Sequence, residues 1–410
     1  MSSDGIWREV WRAWYPFVEG AFYFCQGFYT TGFVMYLSVF TVNIFELQFD
    51  TIAMLNATIT APVFLKMIPL AFCDRYSLGK YGRRRPYIMI AAIAYAVSFA
   101  LLAEIQSFGT SWVAAVVISI LAWVVADGCF DALTVDVTPP DKAGLMQGIA
   151  WGSRGLGAAI GGAAFALMVT EINWPVIVMV TGVFAIVQCF CGIIMKEPRI
   201  MKERLANGET FKNLVRKRET WLGFVYAFLA STGLTVSEAF GAAYFVTQGH
   251  IDGSTLGYVL LLSNVGIFFG SLLLGSRSDK IGTKKALILG NLLAISACAL
   301  LASIMPNIIE WILVAAFLIG AFQGAQMTSM LRLYMELSPS RVGGTMFAVY
   351  TSIGNAGMAI LGSLTISLFA PVVGAAHSML LVVPYLVIAS LMLPLLKLYD
   401  PNPQKRNTAG

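Results

Sequence analysis

Charge is scarce in this chain. Asp, Glu, Lys and Arg make up 12% of its 410 residues, against about a quarter in a soluble domain, which excludes an ordinary solvated surface. Histidine is scarcer still: His250 and His377 are the only two, and both fall in or at the edge of connections between apolar runs. No Ser/His/Asp or metal-ligand spacing converges on one depth, so neither an enzyme activity nor a metal site is expected. The absence of a G-x-x-x-x-G-K-[ST] stretch argues against ATP-driven pumping by this chain. The six cysteines (Cys25, Cys73, Cys129, Cys189, Cys191 and Cys298) lie in or at the ends of apolar segments. They read as small buried hydrophobes rather than a disulfide framework, and Cys189 and Cys191 lack the further ligands a metal needs. No cleavable signal peptide is visible. The N-terminal IWREVWRAWYPF reads instead as a short amphipathic piece at a membrane surface.

What is abundant is apolar length. Hydrophobic residues make up 58% of the chain, the mean hydropathy is +0.76, and runs such as 113–126 and 286–305 approach the roughly 20 residues that cross a bilayer as a helix. Hydropathy and breakers predict spans at 15–41, 51–73, 86–106, 111–137, 145–169, 174–195, 221–247, 255–275, 286–306, 309–337, 345–370 and 377–397. Twelve spans place both termini on one side. With the N-terminus inside, 24 of the 27 basic residues fall in inner segments and none in an outer loop. Lys and Arg accumulate on the cytoplasmic side, so a multi-pass protein of a cell (inner) membrane with both termini cytoplasmic is expected. The polar connection 196–220 divides the chain into an N-terminal bundle, 1–195, and a C-terminal bundle with a short tail, 221–410.

The inner loops repeat. LAFCDRYSLGKYGRRRPYI, residues 70–88, has a partner in GSRSDKIGTKKA, residues 275–286. Asp74-Arg75 answers Asp279-Lys280, and Gly82-Arg83-Arg84-Arg85 answers Gly282-Thr283-Lys284-Lys285. Pro140–Gly144 likewise answers Pro339–Gly343. Matching loops in two six-span halves indicate an internal duplication of the kind transporters carry.

Gly275-x-x-x-Asp279-Lys280-Ile-Gly282-Thr-Lys284-Lys285 resembles the signature loop of the major facilitator superfamily. The first copy departs from it: Leu70 stands where glycine is usual, and five extra residues separate Asp74 from Gly82. A stretched loop of this kind, with PVFLKMIPLAFCDR before it and residues 127–159 after it, resembles the AmpG-like branch of muropeptide permeases and acetyl-CoA transporters. The GRRRPYI ending is similar to the glycoside–cation symporters. The resemblance implies an all-α integral membrane fold of twelve transmembrane helices in two pseudo-symmetric six-helix bundles. It also implies that Asp74 and Asp279, with the basic residues around them, hold the halves together on the cytoplasmic face; the alternative for each arginine is the inside rule alone.

Three basic residues, Lys66, Arg154 and Arg332, lie within spans, where a charge costs about 2.5–3.5 kcal/mol on insertion scales. Acidic candidates are Asp127 and Asp131, which share a helix face, and Asp136 near the interface. A buried network of Asp127, Asp131, Arg154 and Lys66 is expected; it either exchanges a proton during transport or pins helices as a static cluster. Glu19 reads as snorkelling from the inner boundary as readily as functional, and Glu238 in span seven is a second coupling candidate. Arg332, near an inner end, can snorkel as well. The superfamily architecture places the first and fourth spans of each half around a central cavity. It thereby nominates Tyr23, Gln26, Tyr29 and Thr30, then Tyr244, then Gln323, Gln326 and Arg332, for contact with substrate. Aromatic and amide groups suit a polar, ring-bearing or amide-bearing solute. Glycines 155, 157, 161 and 162, and 354, 357 and 362, suit close helix packing.

The expected function is secondary transport by alternating access, most simply proton-coupled import of a polar organic solute. Sodium-coupled symport, proton-driven export and a transport-inactive sensor are the alternatives. No cofactor is expected beyond the coupling ion, H+ or else Na+. The expected partners are a small-molecule substrate and the lipid bilayer, with no nucleic acid, and the chain is expected to act as a monomer.

Overall fold

A computed structural model of the chain describes residues 11–31, 45, 55, 58, 62–63, 66–78, 82–105, 107–169, 174–195, 197, 211–236, 253–303, 308–339 and 342–398. Among them every regular element is helical. In chain order these are α1 (Tyr15–Tyr29), α2 (Met67–Arg75), α3 (Arg85–Glu104), α4 (Thr110–Val137), α5 (Ala143–Val169) and α6 (Trp174–Ile194). They continue with α7 (Arg218–Ala230), α8 (Gly253–Ile281), α9 (Thr283–Ala302), α10 (Ile309–Glu336), α11 (Gly343–Val373) and α12 (Ala375–Leu395). Eight helices among the described residues are long and apolar enough to cross a membrane. On α3, Ile90, Ile93, Val97 and Leu101 are exposed at helical spacing while Ile88, Ala91, Tyr95 and Leu102 are buried. An apolar stripe where a soluble helix would carry charge is the mark of a lipid-facing surface.

The second basic connection is shorter than hydropathy suggests. α8 runs to Ile281, through Arg277, Asp279 and Lys280, and α9 starts at Thr283. Gly282 alone separates them, at φ +88°, and Gly82 in the first connection has φ +108°. An L side chain is disfavoured at such angles, so both loop glycines are required by the backbone. Lys280 in the last turn of α8 also complements the helix dipole.

The described chain forms two compact units. Unit 1 comprises residues 1–137, 156–208 and 340–348; unit 2 comprises 138–155, 209–339 and 349–410. The boundary falls inside α5. In unit 1, Phe22 stacks on Phe130 and Phe28 on Phe184, with ring centroids 3.7 and 3.9 Å apart. A side chain at Gly157 or Gly161 would strike the α1 backbone at Phe24 and Phe28, so α5 and α1 touch main chain to main chain. In unit 2, α8 and α10 cross through reciprocal small-residue pairs. Gly266 and Gly270 face the backbone of Phe317 and Ala321, and Gly320 and Gly324 face that of Ser263 and Ile267. The first turns of α5 lie against α8 through Gly144, Gly148 and Gly152. Without water to drive association, such close packing is what holds membrane helices together.

Candidate functional site

Unit 1 contains a polar ladder between α1 and α4. Thr134 Oγ1 donates to Glu19 Oε2 at 2.7 Å, the Tyr23 hydroxyl donates to Asp131, and Gln26 Nε2 donates to Asp127 Oδ1 at 2.5 Å. The partners follow from helix geometry. Residues 19, 23 and 26 form one i, i+4, i+7 stripe on α1, and 134, 131 and 127 form its antiparallel match on α4. Lys66, just before α2, places Nζ 3.8 Å from Asp127 Oδ2. All of these groups are buried; Glu19 has no exposed surface, and its Oε1 has no hydrogen-bond partner among the described residues. Among the described residues, three carboxyls therefore share this ladder with one ammonium. If all three were ionised the cluster would carry two uncompensated negative charges, which a dry interior opposes strongly.

Three further carboxylates sit at helix N-termini. In unit 1, Asp74 Oδ2 accepts from Thr345 N at 2.7 Å and Thr345 Oγ1 at 2.5 Å, at the start of α11. Asp74 Oδ1 pairs with Arg84, which is fully buried. Arg83 Nη2 and Arg84 Nε lie 3.4 and 3.8 Å from Asp136 Oδ2. Burial opposes the charge on Arg84, but Asp74 and Asp136 outweigh it and the guanidinium is held more firmly protonated than usual. The backbone N–H groups of Arg83, Arg84 and Arg85 all donate to the Glu197 carboxylate, at 2.6 Å for Arg83 and 3.0 Å for Arg85. That anion caps the α3 N-terminus. In unit 2, Asp279 accepts from Gly144 N and Leu145 N, each at 2.8 Å, at the start of α5. Arg332 Nη1 lies 2.9 Å from Asp279 Oδ1 and 2.7 Å from Ser278 Oγ, and its Nε lies 3.0 Å from Thr283 Oγ1. Thr283 in turn donates to Glu336 at 2.7 Å.

The other residues singled out from sequence are placed as follows. Tyr29 is buried among Tyr95, Phe99 and Trp123, and Thr30 Oγ1 donates back to the Gln26 carbonyl at 2.9 Å. Gln323 and Gln326 are buried in unit 2, where Gln326 Nε2 donates to the Ala230 carbonyl at 2.8 Å. Arg332 belongs with Asp279. Arg154 falls in unit 2, half-buried, with its guanidinium carbon 4.4 Å from the Trp151 ring centroid. Arg85 Nε reaches the Ile193 carbonyl at 2.8 Å. Arg75, Lys280 and Lys285 are exposed, and Lys284 is half-buried. Gly275 meets Gly148 backbone to backbone. Glu238 and Tyr244 lie outside the described residues. Thr134, Glu197 and Thr345 are not singled out by the sequence alone, which marks Glu19 only by its distance from the inner boundary. The matched stripes on α1 and α4 were the signal available for Glu19 and Thr134.

A family model described as Major Facilitator Superfamily matches residues 22–250 and 236–410. Over 299 residues the chain is 26% identical to "Probable folate-biopterin transporter 5" of Arabidopsis thaliana, covering 67% of this chain and 60% of that protein. The chain thus spans 60% of the length of this curated relative. Among solved structures it resembles the transporter FucP in the outward conformation, with TM-score 0.74, 14% identity, and coverage of 93% of this chain and 98% of that one. It also resembles the human organic anion transporter MFSD10, with TM-score 0.70, 15% identity, and coverage of 94% and 99%. At such identities the likeness is one of fold.

Proposed function

Because the chain belongs to the Major Facilitator Superfamily, we propose that it is a secondary transporter rather than an enzyme. In this reading it works by alternating access and imports a polar organic solute together with a proton. The observation that carries the proton is the α1–α4 ladder of unit 1: Glu19, Asp127 and Asp131 against Lys66, the one cation in the ladder among the described residues. A charge-balanced cluster holds two protons among three carboxyls, and losing one leaves a buried negative charge that favours whichever state hydrates it. That difference biases a two-state equilibrium, which is all that coupling requires. The Tyr23 hydroxyl bonds Asp131 one helical turn from Glu19, so a donor and acceptor group stands between the two carboxyls.

The residue types and the curated relative support a solute class. Aromatic and amide side chains suit a polar ring system, and the Arabidopsis relative is named for folate and biopterin; a pteridine-like molecule fits both. In this reading both termini lie on the cytoplasmic side of a cell membrane, which the excess of basic residues in the inner loops supports, and the chain acts as a monomer. Uptake by proteoliposomes under an inside-alkaline pH gradient tests the reading with folate, biopterin, sugars and aminosugar peptides. The expected result is accumulation of one solute above equilibrium, abolished by a protonophore. Accumulation driven by a sodium gradient with no response to pH would overturn the proton assignment.

A further inference from the structure

We propose that Arg154, seated on the indole of Trp151, recognises a carboxylate of the transported solute. This rests on the transporter reading above and narrows its substrate class to organic acids. Three basic residues lie inside spans, and two of them have carboxylates: Lys66 has Asp127 and Arg332 has Asp279. Arg154 has no carboxylate partner among the described residues; it has the Trp151 ring at 4.4 Å. An aromatic face compensates a guanidinium only in part inside a membrane. A guanidinium stacked on one face still keeps its N–H donors in plane, where they form the two-pronged contact that carboxylates accept.

Position favours a solute over a lipid headgroup. Arg154 stands eleven residues past Ala143, the first residue of α5, so it lies roughly 16 Å along the helix at 1.5 Å per residue. That is too deep for a phosphate at the membrane surface. Gln147, Trp151 and Arg154 share one face of α5. Gln147, at the start of that stripe, is buried and its Nε2 lies 3.7 Å from Met335 Sδ of α10. Within unit 2 the stripe therefore starts against α10, which carries Gln323 and Gln326 at a similar number of residues from its end. A fork for an acid and an indole for a ring describe a ring-bearing carboxylic acid.

The test measures apparent Kd for two matched pairs, folate with biopterin and glucuronate with glucose, by ligand-induced thermal shift of the purified full chain in detergent. In each pair only the first member carries a carboxylate. The wild type is expected to prefer the acid in at least one pair. Arg154→Gln should weaken acid binding about tenfold or more and leave the neutral member unchanged, with Arg154→Lys restoring part of the loss. The unliganded melting temperature reports folding separately, and the Lys variant alone supplies the comparison if the Gln variant does not fold. A wild type without acid preference, or a variant that weakens both members equally, overturns the proposal. No ion gradient enters this measurement, so an Arg154-dependent preference without gradient-driven accumulation would sink the coupling reading and leave this site standing.

Discussion

In unit 1 the Asp74 carboxylate meets the N-terminus of α11 and Arg84; in unit 2 the Asp279 carboxylate meets the N-terminus of α5 and Arg332. The arrangement is the same, but the arginines have different origins. Arg84 comes from the basic loop, whereas Arg332 comes from α10 and the matching Lys284 takes no part. The interiors diverge further. Between α1 and α4, unit 1 buries three carboxyls and an ammonium. Among the described residues, the corresponding helices of unit 2, α7 and α10, meet through neutral groups, as in the 2.8 Å bond from Gln326 to the Ala230 carbonyl. The framework contacts of the two units match, while the buried chemistry of their described residues differs.

The matched loop residues offer the sharpest way to break this comparison. Arg84→Ala leaves Asp74 without its guanidinium partner and Asp136 with Arg83 alone, and should cost about 3–5 kcal/mol. Lys284→Ala should stay within about 0.5 kcal/mol. Thermal unfolding of the two purified variants decides it, and equal losses would mean the loops are equivalent after all. Arg332→Gln should fall between them, near 1.5–3 kcal/mol, because Arg332 faces one carboxylate where Arg84 faces two, and glutamine keeps a donor. Gly82→Ala and Gly282→Ala should each cost about 1–2 kcal/mol through the left-handed backbone; a neutral result at either would show that its loop can relax. Smallest is Gln326→Ala, near 1 kcal/mol for one lost hydrogen bond. Its proton-to-solute ratio in liposome uptake should be unchanged, and a changed ratio would move coupling into unit 2.

Hydropathy made the all-α membrane architecture legible, because a helix in lipid must be apolar over its full length. The loop repeat was legible too, since Asp74 and Asp279, and Gly82 and Gly282, recur in the same order. Pairing was harder to read. Glu19 lies close to a predicted boundary, and depth alone suggests snorkelling; only its registry with Thr134 on an antiparallel helix shows that it points inward. Arg332 could not be joined to Asp279 from sequence because the two lie on different helices, α8 and α10. Glu197 hides in a mixed-charge connection, where nothing local marks it as the cap for α3. Arg154 and Asp127 stand at similar depths on consecutive spans, but depth does not fix the direction a side chain faces, and Arg154 lies on Trp151.

The central claim is that the charged ladder of unit 1 carries the proton. The most direct measurement reconstitutes wild type, Asp131→Asn and Glu19→Gln, and compares uptake driven by an inside-alkaline gradient with gradient-free counterflow exchange. The account predicts that at least one variant loses accumulation while exchanging solute at a rate near wild type. Full accumulation in both variants would contradict it and leave the ladder a structural cluster.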